Sequence, residues 1–117
     1  SARPDVFTVD NQQWLKTKLV LEGANIPITH EAAKILRDRG IMIVPDVIAN
    51  GGGVICAATE YQGMSEKQAF ERIESTIGRN TREVLERTMK QAQYPHSAAL
   101  LMAKKRLKEA MAFRAHM

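Results

Sequence analysis

Ile41-Met-Ile-Val-Pro-Asp-Val-Ile-Ala-Asn-Gly-Gly-Gly-Val54 is the stretch on which the reading of this chain turns. An apolar run stops at Pro45-Asp46, Asn50 and three glycines follow, and Val54 to Tyr61 reads as a helix. Glycines in or beside a helix start cost roughly 1 kcal/mol each relative to alanine. A sequence that keeps Gly51, Gly52 and Gly53 there needs the backbone close to something else. The carboxyl end of a strand, opening through small residues into a helix, is where open α/β sheets bind ligands. Chemistry is expected here before anywhere else in the chain.

Upstream, Lys18 to Glu22 reads as a short apolar strand without clean alternation, as a buried parallel strand would. Gly23 to Ile28 is a loop, and Thr29 caps a helix whose apolar face is Ala32, Ala33, Ile35 and Leu36. Gly40 ends that helix and Ile41 to Val44 forms a second strand. Strand, helix and strand together have the length of a βαβ crossover. Residues 1–9 show no period and read as a structureless stub, with a short helix expected from Asn11 to Lys16. Downstream the chain turns helical. Ser65-Glu-Lys-Gln68 fits a capping box, and Phe70, Ile73, Ile77, Val84, Leu85, Thr88 and Met89 continue a stripe to about Gln91. Pro95 suits the first turn of a last helix, with Leu100, Ala103, Leu107, Ala110 and Met111 as its expected buried face.

The predicted architecture is therefore α/β: two parallel strands in a βαβ unit over residues 1–62, then two long helices over 63–117. Two parallel strands leave unpaired edges and make no stable sheet alone. The chain accordingly reads as the carboxy-terminal portion of a doubly wound domain, with further strands expected before Ser1 and self-association expected through uncovered apolar surface.

Composition bounds the function classes. The 117 residues are 44% hydrophobic and 26% charged, the profile of a single ordinary globular domain. The charge of +4 raises nucleic acid as a partner, but basic residues alternate with acids along helical patterns, as at Glu71-Arg72 and Glu86-Arg87. Aromatics, at 5%, are too sparse for a base-stacking platform. No nucleic-acid partner is expected, and a solvated helix face accounts for the charge. One cysteine, Cys56, suits a reducing compartment, and no run approaches the ~18 apolar residues of a membrane span. A cytoplasmic protein without a membrane partner is expected. His30, His96 and His116 have no metal-ligand spacing with one another or with Cys56, so no metal site is read.

Leu21-Glu-Gly-Ala-Asn-Ile-Pro-Ile-Thr-His-Glu-Ala32, then Arg39-Gly40, Pro45-Asp-Val-Ile-Ala-Asn-Gly-Gly-Gly-Val54 and Glu60-Tyr61, resembles the family of glutamate, leucine, phenylalanine and valine dehydrogenases. The pairing of the two loops is a specific signal, whereas either loop alone is weak. Residues 2–8 resemble the segment after the fourth strand of that family's dinucleotide-binding domain. The resemblance implies a Rossmann-like domain whose fifth and sixth strands are the two found here. It implies an oxidoreductase of amino-acid metabolism that uses NAD or NADP. The family reaction is reversible oxidative deamination of an L-amino acid to a 2-oxo acid and ammonia. The family's catalytic lysine and aspartate and its glycine-rich pyrophosphate loop have no counterpart here. No catalytic residue is therefore assigned, and the isolated chain is expected to be inactive.

By the same resemblance, Gly23, Ala24 and Asn25 border the cofactor, with Asn25 near the nicotinamide ribose. Asn50 stands between nicotinamide and substrate, where a side-chain amide offers donor and acceptor without a net charge. Gly52 and Gly53 admit cofactor and substrate to the helix start. The plainer alternatives are a left-handed turn residue for Asn25 and a helix cap for Asn50. Glutamate-specific members carry serine at the position of Ala57, where it helps to hold the side-chain carboxylate of the substrate. Alanine lacks that hydroxyl, as do the residues of the apolar-substrate members at this position. Thr59 lies about 200° round the helix from Ala57 and is a poor replacement. The flanking loops resemble the glutamate enzymes, so glutamate is the expected substrate and a homo-oligomer the expected assembly. A second reading stays open from the residues alone: a non-catalytic helical interaction module with a basic surface.

Overall fold

The computed structural model describes residues 3–91 and 93–116. Strand β1 (Leu19–Leu21) pairs in parallel with β2 (Met42–Val44), in the register Leu19 with Met42, Val20 with Ile43 and Leu21 with Val44. Helix α1 (His30–Asp38) makes the crossover between them. The Thr29 hydroxyl accepts from the Ala32 amide at 3.2 Å, Glu31 lies in the first turn, and Gly40 closes the helix at φ 83°. A single turn, α2 (Asp46–Ala49), then leads into α3 (Gly52–Tyr61), α4 (Glu66–Lys90) and α5 (Pro95–Ala115). The Ser65/Gln68 capping box forms in full and Pro95 sits in the first turn of α5.

β2 carries the packing because its alternate side chains face two cores. Ile43 packs with Ile28, Ala32, Ala33, Leu36 and Ile41, an apolar cluster shared with α1. Val44 points the other way, to Ile48, Val84, Ala98, Ala99 and Met102 from α2, α4 and α5. β1 does not match the expectation of a fully buried strand. Val20 packs on the α1 cluster, but Leu19 and Leu21 are exposed, because α4 and α5 cover β2 and stop short of β1.

Residues 3–9 are not structureless. Phe7 forms a parallel bridge with Ile28, its amide donating to the Pro27 carbonyl at 3.0 Å while its own carbonyl accepts from the Thr29 amide at 3.0 Å. Asn11 holds the segment from inside, its amide donating to the Val6 carbonyl and its Oδ1 accepting from the Thr8 amide. The short helix expected from Asn11 is a 3₁₀ turn at Gln12–Trp14. Arg39 fastens it to the end of α1, donating to the carbonyls of Gln12 and Leu15, each at 2.8 Å. Ser1 and Ala2 lie outside the described residues.

The face of α5 is the main correction. Its buried residues are Pro95, Ala98, Ala99 and Met102, whereas Leu100, Ala103, Leu107, Ala110 and Met111, the expected face, are exposed. The alanines let the helix backbone approach Val44 and Val84 closely, which bulkier side chains would prevent. Beyond Met102 every described residue of α5 is exposed, and that half is tied back by the Arg106–Glu83 ion pair at 3.1 Å. In α4, likewise, Phe70 and Met89 are exposed, while Val84 and Thr88 are buried with the Thr88 hydroxyl donating to the Val84 carbonyl. Among the described residues no helix is long and apolar enough to cross a membrane.

Met102→Ala is expected to lower unfolding free energy by about 2–5 kcal/mol, because it opens a cavity at the α4–α5 contact. Leu107→Ala, at an exposed position, is expected to change it by less than about 0.5 kcal/mol. Urea denaturation of both variants checks this, and the opposite order would restore the face predicted from sequence.

Candidate functional site

Both strands point their carboxyl ends at the same place. The Glu22 amide donates to the Val44 carbonyl at 3.1 Å, so the pairing runs one residue past β1 before the chain enters the Gly23–Ile28 loop. The loop after β2 begins at Pro45 and runs through α2 to the glycines. The two loops meet through their asparagines, with Asn50 Nδ2 donating to Asn25 Oδ1 at 2.7 Å. Asn25 is exposed and Asn50 half-buried. Asn25 does not take its plainer alternative role, whereas Asn50 does cap a helix, at the carboxyl end of α2, its backbone amide donating to the Asp46 carbonyl at 2.9 Å. The left-handed residue of the first loop is Ile26, at φ 41°, and not Asn25. Asn50 is the residue after α2, at φ −103°, where its side chain bonds Asn25; α3 is capped by Gly51 without a side-chain bond.

A β-branched residue at positive φ is strained by roughly 1–3 kcal/mol. Ile26 is held there from both sides: its amide donates to Asp46 Oδ2 at 2.7 Å and its carbonyl accepts from the Asp5 amide at 2.9 Å. The strain sits immediately beside Asn25. Glycines flank the pair. Gly23 and Gly53 both have negative φ, and a Cβ built on either would meet nothing within 4 Å. Nothing within the described chain requires glycine at these two positions. At Gly52 an added Cβ would make ordinary contact with Ile73 and Ile77, at 3.6 and 4.0 Å. Ala24, between Gly23 and Asn25, is half-buried.

Beneath the asparagines lies a polar cluster that no local pattern announces. Glu22, Asp46 and His96 bring one ligand atom each within 4.8 Å of the others. Glu22 is 1% exposed and Asp46 8%. Glu22 Oε1 accepts from the Asp46 amide at 3.1 Å and from His96 Nε2 at 2.6 Å. Asp46 spends its carboxylate on the backbone, Oδ1 accepting from the Val47 amide and Oδ2 from Ile26. Two carboxylates and an imidazole form a donor set known for divalent metals. Here Glu22 Oε1 and both Asp46 carboxylate oxygens already accept hydrogen bonds, and the 2.6 Å contact of Glu22 Oε1 with His96 Nε2 is a direct hydrogen bond, while Glu22 Oε2 is buried without a partner among the described residues. The Glu22 hydrogen bond holds the His96 pKa above its ordinary 6.5 against the desolvation that lowers it, and the negative charges of Glu22 and Asp46 add to the rise. Seventy-four positions separate Glu22 from His96, which is why sequence spacing reveals no such group.

Asn50 opens onto a recess of about 390 Å³ between α2, α3 and α4, bordered by Val47, Val54, Thr76, Ile77 and Asn80. The Asn80 Oδ1 is buried there without a hydrogen-bond partner among the described residues. Thr76 and Asn80 carried no signal in the sequence beyond lying on a helix. Ala57 is exposed on α3. Thr59 is buried and its hydroxyl donates to the Cys56 carbonyl at 2.8 Å, so it offers Ala57 no substitute. Cys56 is half-buried beside Glu60, with Sγ 3.8 Å from its carboxylate.

Residues 1–115 match the family model for glutamate/leucine/phenylalanine/valine dehydrogenase. A glutamate dehydrogenase of Aeropyrum pernix is 32% identical over 97% of this chain and 30% of its own length. An NADP(+)-dependent glutamate dehydrogenase of Pyrobaculum calidifontis is 33% identical over 95% of this chain and 28% of its own. The crystal structure of glutamate dehydrogenase from Peptoniphilus asaccharolyticus superposes with a TM-score of 0.82 at 28% identity, over the whole of this chain and 31% of that one. The chain thus spans under a third of the length of these relatives. Two strands with an α1 crossover, a pair of loops joined through asparagines and this match over nearly every residue lead to one assignment: the chain belongs to the glutamate/leucine/phenylalanine/valine dehydrogenase family.

Proposed function

We propose that this chain supplies the nicotinamide-side wall of an NAD(P)-dependent amino-acid dehydrogenase that interconverts an L-amino acid and water with a 2-oxo acid and ammonia. The observation that carries the reading is the 2.7 Å bond between Asn25 and Asn50 at the carboxyl ends of parallel strands, flanked by Gly23 and Gly53. Glycines that the fold does not need, on either side of two converging amides, are what close approach of a flat ring and its ribose asks of a backbone. When bound, the nicotinamide exchanges hydride with the α-carbon of the amino acid. The residues of this chain bind and orient. Gly23, Ala24 and Asn25 border the ribose, and Gly52 and Gly53 leave room at the start of α3. Asn50 has its Nδ2 engaged by Asn25, which turns the amide and leaves its Oδ1 as the acceptor for an α-amino group. A neutral acceptor suits that place, since it adds no charge beside a centre whose charge changes.

Glutamate is the proposed substrate, on the strength of relatives named glutamate dehydrogenase over almost the whole chain. Ala57 works against it by one hydrogen bond to a carboxylate, worth about 1.5–3 kcal/mol. The chain contains no G-x-G-x-x-G, so cradling of the pyrophosphate is assigned to residues outside these 117, as is proton transfer at the substrate. The working unit is proposed to be a cytoplasmic homo-oligomer.

In the intact enzyme containing these residues, Asn50→Ala is expected to lower kcat/KM roughly 10- to 150-fold, the loss of one hydrogen bond to a charged group. Steady-state assays in both directions check this, and unchanged kinetics would remove Asn50 from the site. Ala57→Ser is expected to raise the preference for glutamate over leucine by a similar factor, read as a ratio of kcat/KM values. The 117-residue chain by itself is expected to show no turnover and no tight NAD(P) binding in calorimetry. A micromolar or stronger affinity would overturn the assignment of the phosphate site to other residues.

A further inference from the structure

His96 comes from the distant helix α5, yet its bond lies at the base of both loops. Glu22 stands three residues before Asn25, and its Oε1 receives His96 Nε2 and the Asp46 amide together. Asp46 in turn holds Ile26, the strained neighbour of Asn25, through Oδ2 at 2.7 Å. The Asp46 carbonyl accepts from the Asn50 amide at 2.9 Å, which sets the end of α2. Asn25 is thus one peptide link and one hydrogen bond from Asp46, Asn50 is one backbone hydrogen bond from it, and the Asp46 amide is seated on Glu22. The direct link between the asparagines is a single, exposed hydrogen bond, which is too weak to set loop spacing unaided.

We propose that His96 is a positioning residue for the Asn25–Asn50 pair: bonded to the buried Glu22, it seats the start of α2 and thereby sets the spacing of the two loops. Its part in catalysis rests on the reading of Asn25 and Asn50 given above, while its hold on their geometry does not. Among the described residues, the acids facing His96 are Glu22 from the end of β1 and Asp46 from α2. On α1, Lys34 and Arg37 lie over the ring of Tyr94, two residues away, at 5.5 and 5.3 Å. The α4 residues in this core, Val84 and Leu85, are apolar. Glu22 Oε2 is buried without a hydrogen-bond partner among the described residues. His96 also borders an open recess of about 290 Å³ with Val47, Ala99 and Leu100, which gives the ring access to solvent protons.

Imidazole is the cation that can lose its charge near neutral pH. Protonated, it neutralises Glu22; deprotonated, it leaves two buried carboxylates without a counter-ion, and the hold on Ile26 loosens. Because the folded-state pKa of His96 is raised above 6.5, the pair's contribution to stability is complete below about pH 6.5 and is lost as pH rises through the folded value.

The test is a nuclear magnetic resonance titration of the labelled protein from about pH 5.5 to about pH 9, with no cofactor or amino acid added. The side-chain amide signals of Asn25 and Asn50 and the backbone amide signals of Ile26 and Asp46 are expected to shift along the same curve as the His96 ring. His96→Gln should abolish that shared inflection and flatten the fall of the urea midpoint above pH 6.5. His96→Lys should keep the low-pH signal positions across the range, a rescue by charge that simple packing would not provide. Asparagine signals that stay still while His96 titrates, or that follow the wild-type curve in His96→Gln, would overturn the proposal. Should His96→Gln not fold, the wild-type titration decides alone. Since nothing is bound during these measurements, the catalytic reading of Asn50 can fail without disturbing this result, and the reverse.

Discussion

Two carboxylates, Glu22 and Asp46, are taken out of water where the strands end, and the surrounding structure is arranged to make that possible. An isolated buried carboxylate is costly, so each must find hydrogen bonds and the pair must find a cation. Asp46 finds backbone amides, one on its own helix turn and one across the loop at Ile26. Glu22 finds the Asp46 amide and His96. The bonds to Asp46 and to Glu22 Oε1 bring the crossover loop, the turn after β2 and the last helix to one point. A substitution at any member leaves buried charge behind, so its cost is the desolvation of what remains as well as the lost bond.

Around that point the apolar packing is divided between the two faces of β2. Ile43 serves the α1 side and Val44 the side of α4 and α5. The alanines of α5 bring its first turns close enough for His96 to reach Glu22, which connects the choice of small residues at Ala98 and Ala99 to the polar cluster beside them. The far half of α5 is held by charge, through Arg106 and Glu83, with Arg87 also paired to Glu83 at 3.5 Å. Basic residues that look free in the sequence are in part committed to this pairing.

The rigid base has a consequence for the loops above it. Ile26 keeps a strained backbone because Asp46 and Asp5 hold it, and the strain falls next to Asn25, which is proposed to contact ligand. Strain of this kind persists where surrounding bonds over-determine it, and it fixes a side chain more narrowly than a relaxed loop would. Asn25 and Asn50 are accordingly presented as a unit, with open space at Gly23 and Gly53 on either side.

Much of this was legible in the residue order, for local reasons. The Thr29 cap, the Gly40 stop, the capping box at Ser65 and Gln68 and the first-turn Pro95 are short-range rules, and each formed as read. The paired loop motifs identified the family, because their spacing is written in the chain itself. What the sequence could not determine depended on distance and on competition between faces. The apolar pattern of α5 contains two stripes, and only packing against Val44 and Val84 chose the one with alanines over the one with Leu100, Leu107 and Met111. Phe7 joined the fold because Ile28 offered an unpaired backbone, which nothing near Phe7 announces. The meeting of Glu22 with His96 needed the whole crossover and both long helices to be in place, so the sequence by itself determined the elements and their caps, and the tertiary structure alone decided which side chain would meet the buried Glu22 carboxylate.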